Sequence, residues 1–172
     1  MSEWKHIFNG ASLRKVAKGA AVFHQADQVR SMYLVRSGAV ALERTLRDGV
    51  PLTLHVATPG MALAEASLFA ETYHCDAVAR SDAEVAGLSR AKFLAALRNR
   101  PEAALSLIES HAKEVQAQRA RIEILRLKRV SDRLDAWLDL HRAPSKGAWI
   151  TVAEQIGVSP PALYRELARR RN

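Results

Sequence analysis

Cysteine is all but absent from these 172 residues: Cys75 stands alone. A single thiol excludes an internal disulfide framework, a four-cysteine zinc site and a cysteine-ligated iron–sulfur cluster within one chain. Long apolar runs are missing too, and nothing approaches the roughly 18 to 20 residues that a bilayer span needs. The first ten residues carry Glu3, Lys5 and His6 where a secretory leader would be apolar, so the expectation is a cytoplasmic protein with no membrane partner. There is no Gly-rich phosphate loop, no Gly-x-Ser-x-Gly elbow and no His-Glu-x-x-His pattern, which argues against an enzyme. What the chain has is 48% hydrophobic and 26% charged residues, the balance of a globular protein that buries a core. Its net charge is +8, and half of the 26 basic residues but only 7 of the 18 acidic ones fall from His111 onward. A cationic C-terminal third suits a polyanion such as nucleic acid, and it suits plain solubility as well.

The first hundred residues read as short strands cut by glycine: Ser12 to Val16, Ala21 to His24, Met32 to Arg36, Ala39 to Leu46, Leu52 to Ala57, His74 to Ala79 and Ala83 to Leu88. Gly19, Gly38, Asp48-Gly49 and Pro59-Gly60 supply the turns, and that spacing means an all-β sandwich or barrel. Asp48-Gly49 marks the clearest hairpin. From Arg90 the period changes: Ala91 to Arg98 reads as a short helix, and Glu102 to Leu127 holds neither Gly nor Pro after a helix-starting Pro101. In that long helix Ile108, Val115 and Ile122 lie seven apart, with His111, Gln118 and Leu125 between them. Such a stripe serves equally as a coiled-coil seam or as a face laid on the β domain. Twenty-six helical residues span roughly 39 Å, which favours a seam facing another chain, with Leu107, Ile124 and Leu127 left to serve the β domain.

Beyond Arg129, Val130, Leu134, Trp137, Leu138 and Leu140 predict an amphipathic helix over Ser131 to Arg142. Thr151-Val-Ala-Glu154 has the form of a capping box, and Ser159 followed by Pro160 starts a second helix after Gly157-Val158. Helix, glycine turn and helix fit a helix-turn-helix, and they fit a plain αα-hairpin. With Leu163 and Leu167 buried, Ala162, Arg165 and Arg169 fall on the opposite face. Arginine can bond guanine O6 and N7 together, and Arg169, Arg170 and Arg171 suit phosphates, although a solvated basic tail has the same composition.

Taken in order, these parts resemble the transcription regulators of the cyclic-AMP receptor protein and fumarate–nitrate regulator (Crp/Fnr) superfamily. The matches are Met32-Tyr-Leu-Val-Arg-Ser-Gly-Ala-Val40, Pro59-Gly60 leading to Glu65-Ala-Ser-Leu-Phe69, Ala77-Val-Ala79, Glu84-Val-Ala-Gly-Leu-Ser89 and Ala162-Leu-Tyr-Arg-Glu-Leu167. The resemblance implies an α+β chain in three parts. Residues 1–100 form an effector-sensing jelly roll of the cyclic-nucleotide-binding kind, 101–129 a dimerisation helix, and 130–172 a helix-turn-helix that ends before the family's usual wing. It implies a regulator that reads a palindromic site on double-stranded DNA as a homodimer, with RNA polymerase as a further partner. The dimer contacts would be Ile108, His111, Val115, Gln118, Ile122 and Leu125. The DNA contacts would come from Ser159, Arg165, Arg169, Arg170 and Arg171. The alternative is a sensing or protein-interaction module of the same fold that no longer binds DNA specifically.

The effector pocket is expected at Ala64, Glu65, Ala66, Cys75 and Asp76, where the pattern departs from the family. Its nucleotide binders start a short helix with Gly-Glu and neutralise the phosphate with Arg-Ser; this chain has Ala64-Glu65 and Cys75-Asp76. A phosphate there would lose its cation and meet a carboxylate, which argues against a cyclic nucleotide. The N-terminal cysteines of the iron–sulfur branch are missing. His24, His55, His74 and Cys75 remain as soft ligands, and His74 with Cys75 at a strand start would point to opposite faces, so neither haem nor metal is expected.

Overall fold

The computed structural model describes residues 2–47, 49–145 and 147–171, which divide into two compact units, up to Ile108 and from Glu109. The first is a β-sandwich. Strands β1 (Ser12–Val16), β8 (Ala83–Ser89), β3 (Ser31–Ser37) and β6 (Ala62–Leu63) make one antiparallel sheet in that order. β2 (Ala21–Phe23), β7 (Asp76–Ala79), β4 (Val40–Thr45) and β5 (Pro51–Ala57) make the other. Both sheets contribute to one core, where Leu34, Val35, Val40, Leu63 and Val85 are fully buried. A 3₁₀ turn over Glu3–Phe8 closes one end by placing Phe8 against Phe93 of helix α1 (Arg90–Asn99), ring centroids 5.5 Å apart. Gly38 turns β3 into β4 at φ +76°, and a Cβ there would collide with the Asp82 carbonyl, so the left-handed turn admits glycine only. The Leu46–Val50 turn is closed by backbone bonds at each end, while Asp48 lies outside the described residues.

Helix α2 (Pro101–Arg126) begins in this unit, where Ala103 and Leu107 join the sandwich core. Its later part belongs to the second unit with α3 (Val130–Leu140), α4 (Trp149–Gln155) and α5 (Pro160–Arg169). Ile124, Leu134, Trp137, Val152, Ala153, Ile156 and Leu163 form that unit's core. Ile124 therefore serves the helical unit and not the β domain, contrary to expectation. The Trp137 indole N–H donates to Gln155 Oε1 at 2.8 Å, and His141 stacks on the same ring. The Thr151–Glu154 capping box does not form: α4 starts two residues earlier, putting Thr151 inside the helix with an exposed side chain. Packing of Trp149 against the core draws the helix start back past the threonine. Among the described residues no helix is long and apolar enough to cross a membrane.

Candidate functional site

Two places carry chemistry, one in each unit. In the sandwich, β6 ends at Leu63 and the chain turns through Ala64 in the left-handed region at φ +73° into a 3₁₀ turn over Glu65–Ser67. An alanine in that conformation stores roughly 1 to 2 kcal/mol of strain. The turn lines a pocket with Phe23, Leu42, His74 and Cys75, and its void measures about 10 Å³, room for about one water. Of the five expected residues, Ala64, Glu65, Ala66 and Cys75 line it and Asp76 does not. The Asp76 carboxylate instead accepts the backbone N–H of Gln25 at 2.9 Å and lies 3.3 Å from His24 Nδ1. The carboxylate expected to repel a phosphate thus stands outside the pocket.

A cation missed by sequence reasoning stands nearby. Arg44 donates to the His74 carbonyl at 3.0 Å, and its charge holds down the pKa of both His74 and Cys75. The larger effect on each is burial, which lowers the His74 pKa and raises that of the Cys75 thiol, leaving a neutral imidazole and a protonated thiol at neutral pH. Arg44 lies two residues beyond the pocket-lining Leu42 on β4, so the strand's period of two already put both on one side. His74 and Cys75 share the pocket because β7 begins only at Asp76 and the chain bends through them. His74 Nδ1 lies 2.8 Å from the Ser67 hydroxyl. Among the described residues no group of three or more His, Cys, Asp or Glu could hold a metal ion.

In the helical unit, α4 and α5 meet through Gly157 at φ +64°, where a Cβ would come within 2.6 Å of Leu125. Ser159 caps α5 by accepting the Ala162 N–H at 3.4 Å, as its position before Pro160 predicts. Pro160 and Pro161 have no N–H and Ala162's is taken, so the backbone of this helix start has few donors for an anion. The Ser159 backbone N–H and hydroxyl hydrogen are what remain there. Leu163 is buried, whereas Arg165 is exposed on the opposite face with no side-chain bond within the described residues.

The terminal arginines differ from one another. Arg169 grips Glu166 through two bonds of 3.0 and 2.9 Å yet keeps its side chain 70% exposed. Arg170, expected to reach phosphate, is spent inside the protein. It donates to Glu166 Oε1 at 2.8 Å, Asp135 Oδ1 at 2.6 Å and the Ser131 carbonyl at 3.1 Å. Three nitrogens bound to α3 and α5 make it a strut between those helices, with only 30% of its side chain exposed. Glu166, held between Arg169 and Arg170, has its pKa lowered to about 2. Arg171 is exposed. On α2, Ile108, Val115, Ile122 and Leu125 are all exposed, joined by Leu105, which the heptad reading passed over. His111 is half-buried, and Gln118 donates to Glu114 along the helix at 2.6 Å.

Residues 13–100 match the family model of the cyclic nucleotide-binding domain. The cyclic AMP receptor protein of Thermus thermophilus is 32% identical over 122 residues, 70% of this chain and 56% of that protein, so the chain spans little more than half the length of this curated relative. The crystal structure of the catabolite activator protein of Thermus thermophilus superposes with a TM-score of 0.57 at 26% identity, covering 96% of this chain and 80% of the other. The c-di-GMP responsive global regulator CLP of Xanthomonas campestris gives 0.73 at 19% identity over 97% and 89%, a likeness of fold. By these matches the chain belongs to the cyclic nucleotide-binding domain family, within the Crp/Fnr group of transcription regulators.

Proposed function

We propose that the chain is a cytoplasmic, DNA-binding transcription regulator that acts as a homodimer along α2 and reads a palindromic site with α5. The observation that carries this reading is Arg165: a guanidinium with no side-chain bond among the described residues, on the solvent face of a capped helix whose other face is locked into a core by Leu163. A two-fold axis along α2 would present two such helices, matched by half-sites about one helical turn, roughly 34 Å, apart. Arg165 then reads a base, Ser159 and Arg171 hold phosphates, and Arg169 reaches phosphate by exchanging Glu166 for it. The sandwich senses an effector other than a free cyclic mononucleotide, because the void at this turn has room for about one water and none for a nucleotide. Selection from a random duplex pool tests the proposal. Enrichment of a two-fold symmetric sequence supports it, and an unenriched pool favours a sensing or protein-interaction module without specific DNA binding.

A further inference from the structure

The turn before α5 is held from outside by two arginines. Its carbonyls can be followed one at a time, since each needs a donor. Val152 and Ala153 accept from the amides of Ile156 and Val158. Glu154 accepts the Gly157 amide, and Gln155 accepts Arg121 Nε at 3.2 Å. Ile156 and Gly157 both accept from one nitrogen, Arg133 Nη1, at 3.0 Å. The same guanidinium donates through Nε to Leu127 at 2.8 Å and through Nη2 to Leu125 at 3.0 Å. One side chain on the first turn of α3 thus binds the ends of two helices, α2 and α4, each the negative pole of its dipole. A Cβ at Gly157 would come within 2.6 Å of the Leu125 side chain, which places the turn beside the end of α2.

We propose that Arg133 is a positioning residue for α5: its planar fork fixes the α4–α5 turn on the last turn of α2 and so sets the direction in which Arg165 is presented. This rests on the DNA reading above and adds a residue that acts on base discrimination through backbone carbonyls. Lysine keeps the charge but offers one nitrogen in place of the three that Arg133 places on the two helix ends. The variants are Arg133→Lys and Arg133→Gln, with Arg129→Lys, one turn earlier and exposed, as the control.

Two measurements decide it: hydrogen exchange of residues 155–163 in the free protein, and the ratio of affinities for the selected palindrome and a scrambled duplex. Both Arg133 variants should exchange faster by roughly tenfold or more, the order expected for losing several charge-assisted bonds. The affinity ratio should fall about fivefold or more with scrambled-duplex binding unchanged, and Arg129→Lys should match the wild type. An Arg133→Lys variant with wild-type exchange and ratio overturns the proposal, since charge alone would then suffice. Equal loss on both duplexes overturns it too, as it marks a phosphate contact. A wild type that does not discriminate removes the DNA reading, whereas unchanged exchange removes the clamp, so the two failures appear in different measurements.

Discussion

The dimer is tested by Val115→Asp with Ile122→Asp. Leu105, Ile108, Val115 and Ile122 are 67%, 62%, 48% and 54% exposed on one helix, and Leu125 is 37% exposed. Fully burying such a side chain is worth about 1.5 to 3 kcal/mol, so covering the exposed half gives roughly 1 kcal/mol each. Five residues on each of two chains then supply on the order of 10 kcal/mol. Association costs an estimated 4 to 15 kcal/mol, which makes this seam sufficient only when nearly all of it is used. The double variant removes four apolar side chains per dimer and puts four carboxylates into a desolvated seam, a loss of several kcal/mol per buried charge. Multi-angle light scattering at tens of micromolar should report a dimer for the wild type and a monomer for the variant. A monomeric wild type, or a double variant that stays dimeric, refutes the seam.

Cyclic AMP and cyclic GMP should bind weakly or not at all in titration calorimetry at millimolar nucleotide; a low-micromolar dissociation constant, about 7 to 8 kcal/mol, would mean the pocket opens and Arg44 pairs with the phosphate. Ala64→Gly should leave stability unchanged or raise it by up to about 1 kcal/mol in urea melts, because relief of left-handed strain outweighs the added freedom of the unfolded chain; a loss of more than about 1 kcal/mol contradicts that strain. Arg170→Ala should lower the melting temperature while leaving the salt dependence of duplex binding intact, the reverse of a phosphate contact; a flattened salt dependence would return Arg170 to the DNA. Since the Glu166 pKa falls from 4.5 to about 2 on folding, its contribution is complete above about pH 4.5 and is lost as pH drops toward 2. Glu166→Gln should therefore differ from the wild type in melting temperature near pH 6, and the difference should vanish toward pH 2.

The sandwich was legible because its strands are short and are parted by glycines that need positive φ, as at Gly38 and Gly49. Ala62–Leu63 escaped because two residues are too short a run to read as a strand. Ser159 was readable as a cap since hydroxyl and proline act within one turn. Thr151 was not, because the start of α4 is set by where Trp149 finds the core, a tertiary fact. The same distinction runs through the sites. Arg165 followed from helical period and the burial of Leu163, whereas the capture of Arg170 depends on Asp135, thirty-five residues away on another helix. Asp76 shows the limit of carrying a motif position over: the resemblance assigns it to the phosphate site, and its carboxylate turns to the backbone N–H of Gln25.

The central claim, that α5 reads DNA through Arg165, is tested most directly by fluorescence anisotropy of wild type and Arg165→Ala on the selected palindrome and on scrambled duplex across a salt series. The account predicts that the substitution costs about 1 to 3 kcal/mol on the palindrome, relaxes preference at one base pair per half-site and leaves scrambled duplex nearly unaffected. Equal affinity of the wild type for both duplexes, unchanged by Arg165→Ala, would contradict it.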